Sequence, residues 1–309
     1  MLRLGGGPSR LRNCYVTALR SRRFIAVPAF NLLNALGYFC NSECRGALEW
    51  VSLRRSPTSC LNMAAPSVDI LAPPRLLPSG DSAVTVEFAR SIDADANARV
   101  LALDRLIAQA ELKGLRETVP TYRSLLVHYD PVVIGFDALG EQLLQLATEA
   151  RPLTTTQRRW RVPVAYGGAH GIDLEDTAKA LGTTADDLVA RHAAGDYRVA
   201  MIGFTPGWSY LSGLAADLQM PRRQNPRLET PAGTISIGGI QTGIQCLAGP
   251  SGWHLLGCTP VRTFQLGRDP VFLLEPGDAI SFHAIDDATF VEMDRAAASG
   301  EPVAEQVAP

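Results

Sequence analysis

The chain has 309 residues, enough for one or two domains with a good core, and its formal net charge is −2. That balance offers no electrostatic argument for nucleic acid, and Lys113 and Lys179 are the only lysines among many arginines. The apolar run from Phe24 to Phe39 is broken by Pro28, Asn31 and Asn34 and falls short of the ~20 apolar residues of a membrane span, so no membrane partner is expected either.

The charge is uneven along the chain. Before Met63 the only acids are Glu43 and Glu49, set against many arginines, and Cys14, Cys40, Cys44 and Cys60 lie in the same stretch. Met63 followed by Ala64, Ala65 and Pro66 makes a natural start just ahead of the first recognisable strand. Residues 1–62 therefore read as an extension that is non-native or disordered, with an Arg-rich targeting leader as the alternative. The remaining cysteines, Cys246 and Cys258, form neither a disulfide framework nor a paired metal-ligand spacing, and no histidine pair has metal-ligand spacing. A reducing cytoplasm and no metal are expected.

From Ala83 to Phe88 apolar and polar residues alternate with the period of a half-buried strand. Ala96, Val100, Leu103, Ile107 and Ala110 recur at helical spacing within Asp93–Leu112, with Ser91 or Asp93 as the cap. Leu115–Tyr122 and Ser124–Tyr129 read as strands broken near Pro120, and Phe136–Ala150 as a second amphipathic helix. This order predicts a small α+β subdomain over residues 63–155, a compact sheet with helices on one face.

A polar boundary at Arg151-Pro152 and 154–159 precedes a new strand at Trp160–Ala165 and helices at Ile172–Leu181 and Ala185–Ala194. Asp173, Glu175 and Asp176 sit in the first turn of the earlier helix, where the macrodipole favours acids. Beyond Arg198 short β-rich runs dominate: Gly233–Ile237, Trp253–Leu256, Val271–Leu274 and Ala279–His283. A closed barrel over residues 156–290 removes the edges such strands would expose. The tail, 291–309, is expected to be flexible.

The densest signal runs from Gly203 to Pro260, where glycine and proline alternate to specify turns of fixed shape. Thr205, Pro206, Gly207, Trp208 and Tyr210 can line a small amide-shaped pocket, or form a packed corner. Arg222, Arg223 and Arg227, stiffened by Pro221 and Pro226, offer guanidinium forks that match carboxylate or phosphate. Function is favoured for Arg222 and Arg227, while Arg223 fits a surface salt-bridge patch. Gln241 and Thr242 can hydrogen-bond a ring amide that Gly238, Gly239 and Gly243 allow to come close. Either His192 or His254 can serve as a general base, although a lone histidine is more often structural. Trp253 and Thr259 complete the expected substrate-binding set. No Gly-x-x-x-x-Gly-Lys-Ser/Thr pattern and no Gly-x-Ser-x-Gly elbow is present.

The segments Gly203 to Leu211, Pro221-Arg222, Pro226-Arg227, Pro231 to Thr234, Gly238-Gly239, Gln241 to Gly243, Ser251 to His254 and Gly257 to Pro260 share one order with a known family. From about Arg75 to about His283 the chain resembles the B subunit of bacterial 5-oxoprolinase, also called allophanate hydrolase subunit 1. That family includes a sensor-kinase inhibitor and the matching half of urea carboxylase's carboxyltransferase domain. The resemblance implies a cyclophilin-like barrel, ATP as co-substrate, C-type and A-type partner subunits, and a small lactam, 5-oxoproline, opened to glutamate. It also implies that Arg222 and Arg227 hold the carboxylate or developing phosphate charge and that Gln241 and Thr242 orient the lactam. Carboxyl transfer from a biotin carrier, or inhibition of a histidine kinase by binding, are the alternatives. The chain departs from the family at Gln245-Cys246, where Tyr-Pro is usual, at Gly249–Trp253, and at Cys258, which stands in place of an arginine.

Overall fold

A computed structural model describes residues 69–152 and 158–307, so the expectation for residues 1–62 lies outside the described residues. The first layer is a four-stranded antiparallel sheet of β1 (Ile70–Pro78), β2 (Ala83–Ala89), β3 (Leu115–Pro120) and β4 (Ser124–Tyr129), in the order β1-β2-β4-β3. Helices α1 (Ala94–Ala110) and α2 (Phe136–Glu149) pack against it around Val86, Phe88, Leu103, Ile107, Leu125 and Leu143. Asp93 caps α1 by accepting from the Ala96 N–H at 2.8 Å. Strand β1 was not anticipated because Pro73, Pro74 and Pro78 interrupt its pattern. It pairs with β2 alone, at the sheet edge, where missing N–H groups cost no ladder bonds.

The second layer begins with β5 (Arg159–Tyr166), α3 (Leu174–Ala180) and α4 (Ala185–Ala193). Short strands follow: β6 (Tyr197–Ile202), β7 (Ser209–Ser212), β8 (Arg227–Thr230), β9 (Thr234–Gly238), β10 (Gln241–Ile244), β11 (Gly249–Ser251), β12 (His254–Cys258) and β13 (Ala279–Ile285). Six of these and β5 run β12-β9-β10-β7-β6-β13-β5, and a β12–β5 pairing closes the barrel expected from the sequence. Its interior is filled by Val162, Val164, Val199, Leu211, Ile235, Ile237, Ile244 and Leu256. Strands β8 and β11 form a separate two-stranded ribbon.

Two expectations fail. Val271–Leu274 is not a strand: its pairing stops at one isolated bridge, Phe264 to Phe272, flanked by bonds from Gln265 N–H to Val271 O at 3.0 Å and from Leu273 N–H to Thr263 O at 2.9 Å. The tail, expected to be flexible, carries regular structure over its described residues, as far as Val307. Helix α5 (Asp287–Ala298), capped by Asp286, leads to β14 (Glu305–Val307), which pairs antiparallel with β5.

The two layers meet on the outer wall of the barrel. Asn97 donates to Thr121 O at 3.0 Å in its own layer and to Ala200 O at 3.1 Å in the barrel, and Tyr122 donates to Leu211 O at 3.3 Å. Tyr122 thereby joins Trp208, Tyr210, Trp253, Ala200 and Met201 in a third buried cluster.

Candidate functional site

The loop joining β6 to β7 is built from two turns. Thr205 N–H donates to Gly203 O at 2.9 Å across Phe204, whose φ of 70° is costly for a bulky side chain and fits a γ-turn. Trp208 N–H then donates to Thr205 O at 3.1 Å, with Pro206 second and Gly207, at φ 77°, third, the signature of a type II turn. Any other residue at 207 is also blocked sterically, because a Cβ there would lie 2.6 Å from Phe264 Cβ. These turns deliver Trp208 and Tyr210 to the outer face of the barrel.

Strand register shows which side chains share that face. Thr242 pairs with Leu211 and Ile237, which fill the interior, so Tyr210, Gly243 and Ser236, one position along, form a row on the outside. Gly238 and Gly243 strip the wall of side chains, and the Trp253 indole lies against both; a Cβ would meet its ring at 2.7 Å and 3.2 Å respectively. Trp208, Tyr210 and Trp253 pack at 5.8–6.2 Å between ring centroids, with Phe204 edge-on to Trp208 at 5.3 Å. Gln241 is buried on this face and hydrogen-bonds the Tyr122 phenol, which burial pushes up, Tyr210 pushes further and the Gln241 bond pulls back. The Tyr210 phenol is pushed up to about 12 by burial, with Arg222 pulling the other way.

Beside the aromatic face lies the arginine cluster. The Arg222 guanidinium sits 5.7 Å from the Trp253 ring centroid. Arg227 donates both terminal nitrogens to the Asp173 carboxylate, at 2.8 Å and 2.6 Å, and Arg223 adds a bond at 3.1 Å. Leu255 N–H completes the set at 2.9 Å. Burial pushes the Asp173 carboxyl up, but the Arg227 bonds, Leu255 N–H and the two guanidinium charges outweigh it and hold the group below its ordinary range. One carboxylate thus serves two guanidiniums, and the three groups sum to one positive charge. Arg223 Nε is buried without a hydrogen-bond partner among the described residues. The arginine segment is tied to the Trp253 loop by Arg223 N–H to Gly252 O at 2.8 Å and by His254 Nε2–H to Pro221 O at 2.9 Å.

The structure brings Thr205, Pro206, Gly207, Tyr210, Arg222, Gln241, Trp253 and His254 to this surface and its rim. It removes three predicted residues from it. His192 is wholly buried inside the barrel, between Tyr166 Oη at 2.9 Å and Thr242 Oγ1 at 3.0 Å, and stacked on Phe282. Thr242 spends its single proton on Ser236 O at 3.0 Å, so it accepts from His192 Nε2–H, and His192 Nδ1 accepts from Tyr166. Burial lowers the His192 imidazole to about 3, which makes it a neutral structural group and not a general base. Thr242 is occupied from within for the same reason. Thr259 is fully buried and accepts from Val261 N–H at 3.2 Å in a local turn.

Asp173, Tyr122 and Ser236 are the site residues the sequence did not single out, and Arg223, read as part of a surface salt-bridge patch, shares the Asp173 carboxylate. Cys258, in place of the family arginine, is a buried thiol facing Ala232 O, pushed up to about 11 by burial, and supplies no charge. Away from this surface a shallow groove of about 430 Å³ runs past Met293, Ala296 and Val303, but Glu292 and Glu305 line it and would repel a carboxylate. Among the described residues no group of three or more His, Cys, Asp or Glu could hold a metal, and no helix is long and apolar enough to cross a membrane.

Residues 74–274 match the family described as Carboxyltransferase domain, subdomain C and D. Over 222 residues the chain is 32% identical to a Bacillus subtilis (strain 168) protein described as the B subunit of 5-oxoprolinase, covering 68% of this chain and 92% of that one. It is 35% identical over 204 residues to an Escherichia coli O157:H7 protein of the same description, covering 66% and 92%. Among solved structures, the Kluyveromyces lactis urea carboxylase shares the fold with a TM-score of 0.63 at 18% identity, over 75% of this chain and 24% of that one.

Proposed function

The chain belongs to the carboxyltransferase domain, subdomain C and D, family, and on that premise we propose that it is the B subunit of an ATP-dependent 5-oxoprolinase, acting with A- and C-type partner subunits to open 5-oxoproline to glutamate. The observation that carries this reading is the match to relatives of that description over nearly their whole length. We read the barrel as cyclophilin-like, as the family resemblance implies, and the buried thiols of Cys246 and Cys258 suit a reducing cytoplasm.

The site suits a small anionic lactam. Aromatic walls accept a planar ring, and the surplus positive charge of the arginine cluster attracts its carboxylate. In this reading Arg222 and Arg227 bind the carboxylate, with Arg227 held in place by Asp173, and Gln241, braced by Tyr122, orients the ring amide. His254 donates Nε2–H to Pro221 O, which leaves Nδ1 as the acceptor nitrogen able to take a proton at the rim.

The helix starts of the described residues do not suit the phosphates of ATP. Asp93, Thr184 and Asp286 cap α1, α4 and α5 with their own side chains, α3 opens with Glu175 and Asp176, and α2 opens with Asp137, so no helix start is left for phosphate. ATP is therefore assigned to the assembly with the partner subunits, and the chain alone is expected to be inactive. The test is ATP-dependent formation of glutamate from 5-oxoproline by the chain reconstituted with A- and C-type subunits, each omitted in turn. Activity that needs this chain supports the reading, and the same activity from the other subunits without it sinks the reading.

A further inference from the structure

We propose that Asp173 is a positioning residue: its carboxylate latches the 221–227 segment to β12 and so fixes where Arg222 stands over Trp253. The ligand that Arg222 meets there rests on the oxoprolinase reading; the latch itself rests on geometry. Asp173 occupies the N-cap position of α3, where an aspartate ordinarily turns back to accept from its own helix. Asp93, Thr184 and Asp286 do so at α1, α4 and α5, accepting from the Ala96, Asp187 and Thr289 N–H groups. Asp173 makes no such bond. It is 4% exposed, and its carboxylate crosses instead to Arg227, Arg223 and Leu255 N–H. Leaving a helix uncapped and burying a charge both cost stability, and neither serves α3. The donors that offset the burial all lie on the arginine segment and on β12.

The latch has two sides. Toward the barrel, Gly171 has no room for a Cβ, which would collide with Leu256 O, so the chain ahead of Asp173 runs flat against β12. Asp173 N–H then donates to Leu255 O at 3.1 Å while its Oδ2 accepts from Leu255 N–H at 2.9 Å, which fixes the carboxylate close to Trp253 in the chain. Toward the arginine segment, residues 221–226 belong to no helix or strand, so their placement depends on the bonds they make to other parts of the chain. Arg227 takes both carboxylate oxygens and Arg223 takes Oδ1, while Arg223 N–H holds Gly252 O and His254 holds Pro221 O. Arg222 lies between these attachments, its guanidinium 5.7 Å from the Trp253 ring centroid. Asp173 supplies the attachments at both Arg223 and Arg227, so loss of its charge weakens the two together.

Positioning and simple neutralisation predict opposite outcomes. Asp173→Asn keeps the shape of the side chain and removes its charge. A carboxylate that only cancelled positive charge would, once removed, leave a stronger pull on an anion. A latch, once removed, lets Arg222 leave Trp253 and weakens that pull.

The experiment compares Asp173→Asn, Arg222→Ala and the double variant in the full chain labelled with ¹⁵N at tryptophan. The Trp253 indole N–H signal is assigned by its loss in Trp253→Phe. It is expected to move in Asp173→Asn as it moves in Arg222→Ala, with no further shift in the double variant. Arg227→Lys, which keeps the charge and loses the two-pronged grip, is expected to move it the same way and serves if Asp173→Asn does not fold. A Trp253 signal that stays still in these latch variants, or shifts that add in the double variant, overturns the latch. In the assembly reconstituted with A- and C-type subunits, Asp173→Asn is expected to raise KM for 5-oxoproline roughly tenfold, with kcat and the KM for 2-pyrrolidinone moving far less. A KM for 5-oxoproline that falls marks a neutralising charge and overturns the proposal. A shifted Trp253 signal with no opening of 5-oxoproline by the unmutated assembly sinks the oxoprolinase reading and leaves the latch standing.

Discussion

His192 shows how a residue chosen for its chemistry is claimed by packing. It lies at the end of an amphipathic helix ahead of a strand, a position open to a base as readily as to a core residue, and only the Tyr166 and Thr242 bonds across the barrel decide the matter. The consequence is a pH dependence. The unfolded imidazole titrates near 6.5, while the folded one is held neutral to about 3, so below pH 6.5 the unfolded chain takes up a proton that the folded chain refuses. Stability present above pH 6.5 should fall on acidification at up to about 1.4 kcal/mol per pH unit from this group alone. Urea midpoints between pH 7 and 4.5 measure it, and His192→Gln should flatten the profile; identical profiles for both proteins would refute the assignment. Asp173 was equally hidden. Its sequence position marks it as a first-turn acid, and nothing local reveals that Arg227, 54 residues on, reaches it. Arg223, read as surface, shares the same carboxylate.

At the scale of elements, legibility followed locality. Alternation identified β2 and β4, helical spacing identified α1 and α2, and glycine with proline marked the turn ahead of Trp208, because each depends on neighbours within a few positions. Elsewhere the pattern misleads: prolines hid the edge strand β1, and the apolar run at 271–274 pairs through a single bridge and forms no strand. The Gly203–Trp208 turn carries its own prediction. Gly207→Ala imposes a strained φ and drives a Cβ to 2.6 Å from Phe264, so it should cost more than about 1 kcal/mol, read as a lowered urea midpoint. An unchanged midpoint would mean that the turn is not held as described.

The whole molecule joins a small α+β layer to the wall of a closed barrel, and the candidate site lies at the joint. Both layers contribute, since Tyr122 braces Gln241 while Asn97 ties Thr121 O to Ala200 O. That joint was not legible, because Asn97 and Ala200 stand 103 residues apart and meet on a face that exists only once the barrel has closed. The barrel and its turn-rich site segment were legible, the former from the need to remove strand edges and the latter from residue order. Together these features place a surplus positive charge beside an aromatic face. The central claim is that a substrate carboxylate is bound there. The most direct test is the rate at which the reconstituted assembly opens 5-oxoproline and 2-pyrrolidinone, with the chain as it stands and with Arg222→Ala, an exposed position where truncation spares the core. A strong preference for 5-oxoproline that narrows roughly tenfold or more in the variant is the predicted result, the size of a lost charged hydrogen bond. A preference untouched by Arg222→Ala would contradict the account.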